Sequence, residues 1–358
     1  MGGPKMHKGF SLYLDVIRLG AAMLVLLHHY SMKSEFSGGW LWQFRGFGGA
    51  AVNVFFVLSG FVIAYVCARP GYGAAAFTAD RIARIMSVAL PAIVLTFALD
   101  HVGWALRPEA YDGVFIETRG PLTQAVSALL FLNESWFGHI DLGSNKPYWS
   151  LPYEVWYYAA FGLALFAPGR WRYAGPALAL LVAGPWITAM FPVWLLGCGV
   201  YWFGPRVRIP SWAASCIVPA TLFGGLGLGI ALNATGRVWL EDAGDPVMLG
   251  VVAVGVGLNF MAAWHIGPLL LRVLGPAEHL IRLSARMTFT LYLVHLPVMF
   301  FIRSLSPWQA ASWSNRLLVL FGTLVVAAGL TVLTDHFQAV LRATLREWFG
   351  RVRKPRLV

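Results

Sequence analysis

The chain has 358 residues, of which 58% are hydrophobic and 12% charged, with a mean hydropathy of +0.65 and a formal net charge of +11. Soluble domains average roughly a quarter charged residues, so this composition excludes a disordered protein, a disulfide scaffold and an ordinary cytosolic enzyme. The basic residues stand singly or in pairs between apolar runs, which argues against a nucleic-acid surface.

Apolar stretches of spanning length fall at about 12–31, 47–67, 85–104, 148–167, 173–188, 190–204, 212–232, 246–263, 287–303 and 315–334. They predict an all-α, polytopic membrane protein with about ten transmembrane helices and both termini cytoplasmic. In that orientation 18 of the 27 Lys and Arg residues lie inside and eight outside, Arg237 among the latter, as the positive-inside rule requires. The start, MGGPKMHKGF, does not read as a cleavable signal, because the apolar run after it contains Asp15 and Arg18 and no small-residue cleavage site. Residues 1–334 are predicted to form the membrane domain and 335–358 a basic cytoplasmic tail ending RVRKPRLV. The tail reads either as a helix held on the inner leaflet by anionic lipid or as a solvated terminus.

The longest loop, about 105–147, is expected outside, with an apolar stretch at 122–132 that reads as an interfacial helix. Asn133-Glu134-Ser135 and Asn233-Ala234-Thr235 fit the glycosylation sequon. Cys67, Cys198 and Cys216 read as small buried packing residues. Gly224, Gly225, Gly227 and Gly229 read as a stripe for close helix packing. Neither a metal-ligand spacing nor a P-loop nor a GxSxG elbow occurs, and no metal or permanently bound cofactor is expected.

Ionisable groups inside spans are costly and become functional candidates by default. The first span holds Asp15, Arg18, His28 and His29. Eleven residues separate Arg18 from His29, so on a helix they share one face about 16 Å apart. Asp15 falls near that face and His28 about 100° away. Two readings stay open: Arg18 paired to Asp15 at the inner interface with His29 in the outer headgroups, or a functional polar stripe. The second span carries Asn53 and Ser59, which read as packing or substrate-lining groups. After it, Asp80-Arg81-Ile-Ala-Arg84 presents two guanidiniums on one side of a helix start, as a phosphate clamp or a positive-inside anchor. The fourth span opens Trp149-Ser150-Leu-Pro-Tyr153-Glu154, and the buried carboxylate of Glu154 needs a partner, for which His29 is the candidate. Tyr292 and His295 dot the ninth span.

LDVIRLGAAMLVLLHH, FFVLSGFVI, DRIARI, WSLPYEVWYY and TFTLYLVHLPV, in that order from about residue 12 to 298, resemble the acyltransferase-3 family of bacterial inner-membrane O-acyltransferases. The resemblance implies transfer of an acyl group, commonly acetyl, from cytosolic acyl-CoA as co-substrate to a sugar or glycoconjugate hydroxyl. By the same resemblance His29 and Arg18 match an essential pair, Arg81 and Arg84 a donor-side arginine motif, and Glu154 the acidic residue after Trp149-Ser150. Three positions depart from the pattern: Asn53 stands where many members have Asp, Ser87 where Pro is usual, and Pro152 interrupts the fourth-span motif. Together these readings make His29, Glu154 and Arg18 the catalytic group, with His29 either a general base oriented by Glu154 or the carrier of an acyl-histidine intermediate, and make Arg81, Arg84 and Arg18 the coenzyme A contacts. Asp15, His28, Asn53, Ser59, Trp149, Ser150, Tyr153, Tyr292 and His295 are then acceptor-lining or supporting groups. The competing class is a secondary transporter for a glycolipid or metabolite, with Arg18, Glu154 and His295 as coupling groups; no internal repeat between the halves favours it.

Overall fold

The computed structural model describes residues 3–114, 119–136, 138–235 and 246–352. Among them the chain is 83% helical and has no strand. In order, the helices are α1 Lys8–Met32, α2 Ser34–Ser37, α3 Phe47–Cys67, α4 Ala74–Leu106, α5 Pro121–Leu129, α6 Ser150–Phe166, α7 Trp171–Ala183, α8 Pro185–Phe203, α9 Ser211–Ala234, α10 Pro246–His265, α11 Gly267–Leu274, α12 Glu278–Leu305 and α13 Trp313–Val352.

Each predicted span coincides with a helix, but seven helical stretches among the described residues are long and apolar enough to cross a membrane: Lys8–Met32, Phe47–Cys67, Ala74–Leu106, Pro185–Arg206, Ser211–Ala234, Gly267–Leu305 and Trp313–Gly350. Of the others, α10 is apolar over Leu249–His265, and α6 and α7 fall short in length. With 17 and 13 residues, α6 and α7 measure about 26 and 20 Å at the α-helical rise. Two boundaries also move. α4 starts at Ala74, so Asp80, Arg81 and Arg84 lie inside the helix that continues into the membrane-length stretch. α13 passes through residue 334 without interruption and carries the first part of the basic tail as its own continuation. Arg237 and residues 353–358 lie outside the described residues.

The chain divides into two compact units. The first comprises Met1–Arg69, Pro192–Thr288 and Trp308–Arg316, the second Pro70–Phe191, Phe289–Pro307 and Leu317–Val358.

In the first unit α1 packs on α3 and α11, and α10 packs on α3 and α9. α3 and α8 approach so closely that a Cβ on Gly60 would stand 2.0 Å from the Trp194 carbonyl oxygen, and one on Gly197 would stand 2.0 Å from that of Val57. Only glycine fits such a crossing, where small residues let backbones meet in the absence of a hydrophobic drive between helices. The Cys198 thiol donates to the Gly60 carbonyl at 3.2 Å beside it. Phe10, Phe61 and Trp264 form an edge-to-face cluster. A polar chain crosses the same unit: Tyr13 donates its hydroxyl to Asn259 Oδ1 at 2.8 Å, and Asn259 Nδ2 donates to Thr221 Oγ1 at 2.9 Å.

The glycine stripe in α9 behaves otherwise than predicted. A Cβ at Gly224, Gly225 or Gly227 meets nothing within 4 Å, so these three do not serve close packing. Cys216 is exposed rather than buried, whereas Cys198 is buried as expected. Both sequon asparagines are engaged by the fold: Asn133 is buried, and Asn233 donates its amide to the carbonyls of Gln43 and Arg45.

In the second unit α6 and α7 pack together, and α4 packs on α6 and α5. The stretch 122–132 does contain a helix, α5, with Leu122, Val126 and Leu129 exposed along it. The chain after α5 is pinned by Tyr148, whose hydroxyl donates to Ala128 O at 3.0 Å, and by Trp156, whose indole donates to Phe131 O at 2.9 Å. Asp100, a buried carboxylate inside α4, accepts from the Ser144 amide at 2.7 Å and the Ser144 hydroxyl at 2.5 Å. Next to it Asn145 Nδ2 donates to Thr96 Oγ1 at 3.0 Å and to Leu293 O at 2.8 Å. These bonds fix the segment that leads directly into the Trp149-Ser150 motif.

Candidate functional site

In the first unit α1 is unbroken from Lys8 to Met32, so the rise of about 1.5 Å per residue sets Arg18 and His29 about 16 Å apart on one face. At the Arg18 end, Asp15 Oδ2 accepts from Arg282 Nη1 at 2.9 Å, while Arg18 Nη1 stands 3.5 Å from Asp15 Oδ1. Asp15 is thus shared between two guanidiniums and bonds more closely to Arg282, a residue the sequence analysis did not single out. Glu278 extends the cluster, pairing with Arg282 at 3.1 Å and with Lys8 at 2.7 Å.

At the other end, the adjacent histidines have opposite hydrogen-bond roles. His28 is buried, and its Nδ1 accepts from the Gly46 amide at 3.0 Å, where Gly46 is the N-cap of α3. Its Nδ1 must therefore carry the lone pair. His29 Nδ1 lies 3.0 Å from the Val25 carbonyl oxygen, which can only accept, so Nδ1 carries the proton and Nε2 the lone pair in the neutral ring. The ring faces are edge-on at 4.7 Å. His28 therefore caps α3, and His29 is the member of the pair with its basic nitrogen turned away from the helix backbone. In α3, Ser59 accepts from the Trp194 indole at 3.2 Å. Asn53 is fully buried, and neither atom of its amide has a hydrogen-bond partner among the described residues.

In the second unit Arg81 and Arg84 project from α4 at i and i+3. The Arg81 guanidinium lies over the Tyr158 ring, 5.5 Å from its centroid, and that of Arg84 lies 5.0 Å from the Phe289 centroid. Tyr158 donates its hydroxyl to Glu154 one turn earlier on α6, and Glu154 and Asp80 are both within electrostatic reach of Arg81. The sequence analysis assigns Glu154 to His29. These two belong to different units, and within its own unit Glu154 is engaged by Tyr158, a residue whose position four after Glu154 was the signal for it. Arg81 and Tyr158 also line a cavity of about 850 Å³ between α4 and α6, otherwise walled by apolar side chains such as Phe77, Phe131 and Phe166.

The supporting residues gather at the start of α6 and on α12. Ser150 Oγ and the Tyr292 hydroxyl are 2.6 Å apart. His295, 1% exposed, has Nδ1 at 3.0 and 2.9 Å from the carbonyls of Leu291 and Tyr292, so it has the same protonated nitrogen as His29. Trp149 meets Tyr153 edge to face at 5.2 Å. Asp100 and Ser144 were missed, although an acidic residue inside a predicted span is itself a signal. Among the described residues no group of three or more His, Cys, Asp or Glu is placed to hold a metal ion.

An Arg-x10-His helix followed by an Arg-x2-Arg helix and a Trp-Ser-Leu-Pro-Tyr-Glu helix start meets a direct comparison here: an acyltransferase domain model matches residues 11–334. The chain belongs to the acyltransferase-3 family. The O-acetyl transferase of Shigella phage Sf6 is 30% identical to it over 166 residues, 45% of this chain and 47% of that protein. The chain thus spans about half the length of this curated relative. No solved structure matches. Its apolar helices and its family mark this acyltransferase-3 member as an integral membrane protein.

Two of the three departures from the family pattern, Ser87 and Pro152, have local explanations. Ser87 returns its hydroxyl to the Arg84 carbonyl at 3.1 Å. Pro152 is the third residue of α6, inside the first turn, where an N–H has no intrahelical acceptor to lose.

Proposed function

We propose that this chain is a membrane O-acetyltransferase that moves an acetyl group from cytosolic acyl-CoA to a hydroxyl of a carbohydrate or glycoconjugate. In this reading ten helices cross the bacterial inner membrane and both termini are cytoplasmic; α10 and the short α6 and α7 complete the count. The observation that carries it is the Val25 carbonyl on His29 Nδ1 at 3.0 Å, which presents Nε2 as a base. Nε2 takes the proton of the acceptor hydroxyl as its oxygen attacks the thioester carbonyl. The C–S bond then breaks, and the imidazolium returns the proton to the departing thiolate, giving coenzyme A and the ester. Arg81 and Arg84 hold donor phosphates, and Arg18 contacts the donor along α1. Glu154 sets the Arg81 side of the site through Tyr158. The family match and the name of the phage relative support acetyl transfer.

The test is transfer of label from acetyl-CoA by purified protein in lipid nanodiscs to cell-surface glycan fractions. His29→Ala is expected to lower kcat by about 10²-fold or more. Activity equal to wild type in that variant would remove His29 from the chemistry.

A further inference from the structure

The Arg-x2-Arg helix has a second basic partner. Asp80, immediately before Arg81, is buried and accepts from Tyr72 at 2.9 Å and from Arg346 Nη2 at 2.8 and 3.0 Å. Arg342 Nε lies 3.5 Å from the same carboxylate. Arg342 and Arg346 are one turn apart on the continuation of α13, the part that the sequence analysis treats as a tail. Two guanidiniums, those of Arg342 and Arg346, therefore contact one carboxylate, and that of Arg81 is within its electrostatic reach.

That carboxylate does not satisfy them. Its close bonds go to Tyr72 and Arg346, and Nε of both Arg81 and Arg342 is buried without a hydrogen-bond acceptor among the described residues. Buried donors are paired in the great majority of cases, and each exception calls for an explanation. Two such donors flanking a cluster of three guanidiniums against two carboxylates, Asp80 and the Glu154 within reach of Arg81, call for an anion with several oxygens. Arg342 and Arg346 remain 40% and 52% exposed, so such an anion can reach them from solvent.

We propose that Arg342 and Arg346, with Arg81, bind a phosphate group of the nucleotide donor, and that Asp80 holds the arginine pair in place before the donor arrives. Guanidinium forks match phosphate oxygens bidentately and give charge-assisted bonds about twice as strong as neutral ones. The source of the phosphate rests on the donor reading given under Proposed function; the placement of the arginines does not.

Coenzyme A binding to the full-length protein in phosphatidylcholine nanodiscs, followed by isothermal titration, tests this. Arg342→Gln/Arg346→Gln is expected to bind at least about tenfold more weakly, the loss of one or more hydrogen bonds to a charged group. Arg81→Gln is the positive control. A wild type that ignores coenzyme A overturns both the donor reading and this one. A wild type that binds it, with a double variant binding as tightly, overturns this proposal alone. Should the double variant not fold, Arg346→Gln and Asp80→Asn decide. The first is expected to weaken binding and the second to bind at least as tightly as wild type; equal losses in both would show a mere tether. Repeating the titrations in phosphatidylglycerol nanodiscs separates the sources. Arginines that serve lipid headgroups would change thermal stabilisation by that lipid and leave coenzyme A affinity in phosphatidylcholine untouched, which overturns the nucleotide assignment.

Discussion

Asp100 offers the sharpest energetic test of how the Trp149-Ser150 motif is held. Its two oxygens take the amide and the hydroxyl of Ser144, at 2.7 and 2.5 Å, in a buried setting. A hydrogen bond to a charged group contributes about 1.5–3 kcal/mol. Ser144→Ala removes the hydroxyl bond and should cost about 1.5–3 kcal/mol, while Asp100→Ala removes both and strands a buried amide, about 3–6 kcal/mol. Once Asp100 is alanine, Ser144→Ala has nothing left to lose. The double variant should therefore match Asp100→Ala, with a coupling of about 1.5–3 kcal/mol. Reversible unfolding in mixed detergent at pH 8 measures all four corners of the cycle. A coupling below about 0.5 kcal/mol, the ordinary scatter of additive pairs, would refute the reasoning. Transfer activity should fall in parallel, because Gly143, Ser144 and Asn145 lead without slack into the helix that carries Ser150 and Glu154.

Other outcomes follow from single positions. His28→Ala should lower stability by about 1 kcal/mol, the worth of an N-terminal cap, while kcat per folded molecule stays near wild type; a kcat loss equal to that of His29→Ala would erase the distinction between the two rings. Gly60→Ala should abolish folded protein, since its Cβ would stand 2.0 Å from a carbonyl oxygen, whereas Gly224→Ala has open space and should stabilise by about 0.5–1 kcal/mol; size-exclusion yield and thermal midpoint distinguish them. In the loop between α5 and α6 His139 is held between Asp141 at 2.8 Å and Glu134 at 2.5 Å, and hydrogen bonds to Asp141 and Glu134 push it up to about 10. Because that lies above its ordinary value near 6.5, the contribution is full below about 6.5 and fades as pH rises through about 10. The difference in thermal midpoint between wild type and His139→Gln should follow that course, and a gap constant from pH 6 to pH 10.5 would contradict it.

The positions of the helices were legible because lipid leaves the backbone no partner but itself, so a span announces itself as an apolar run. The same rule made Arg18, Glu154 and His29 stand out. Pairings were less legible. Helical periodicity places Arg18 and His29 on one face, but it carries no information on which element lies opposite, and the bond of Tyr158 to Glu154, one turn away on the same helix, went unread. Glycine shows the limit most plainly: Gly60 and Gly197 are isolated in sequence yet form the close crossing, while Gly224, Gly225 and Gly227 of α9 face open space among the described residues. Composition reports that small residues are present; only the neighbouring backbone decides which of them is indispensable. Arg342 and Arg346 looked like tail charges because Asp80, their counter-ion, lies more than 260 residues earlier.

The continuity of α13 turns its arginine pair into a matter of phase. Forty residues of helix reach about 60 Å, roughly twice the hydrocarbon thickness of a bilayer, and neither glycine nor proline interrupts 331–349. The direction in which Arg342 and Arg346 point is therefore inherited from the membrane-embedded turns below them. One residue inserted at 336 would swing both side chains about 100° from Asp80, and seven would return them to within about 20°, at a greater height. The arginine-bearing stretch of α13 is thereby registered to its membrane-length stretch as a gear is to its shaft.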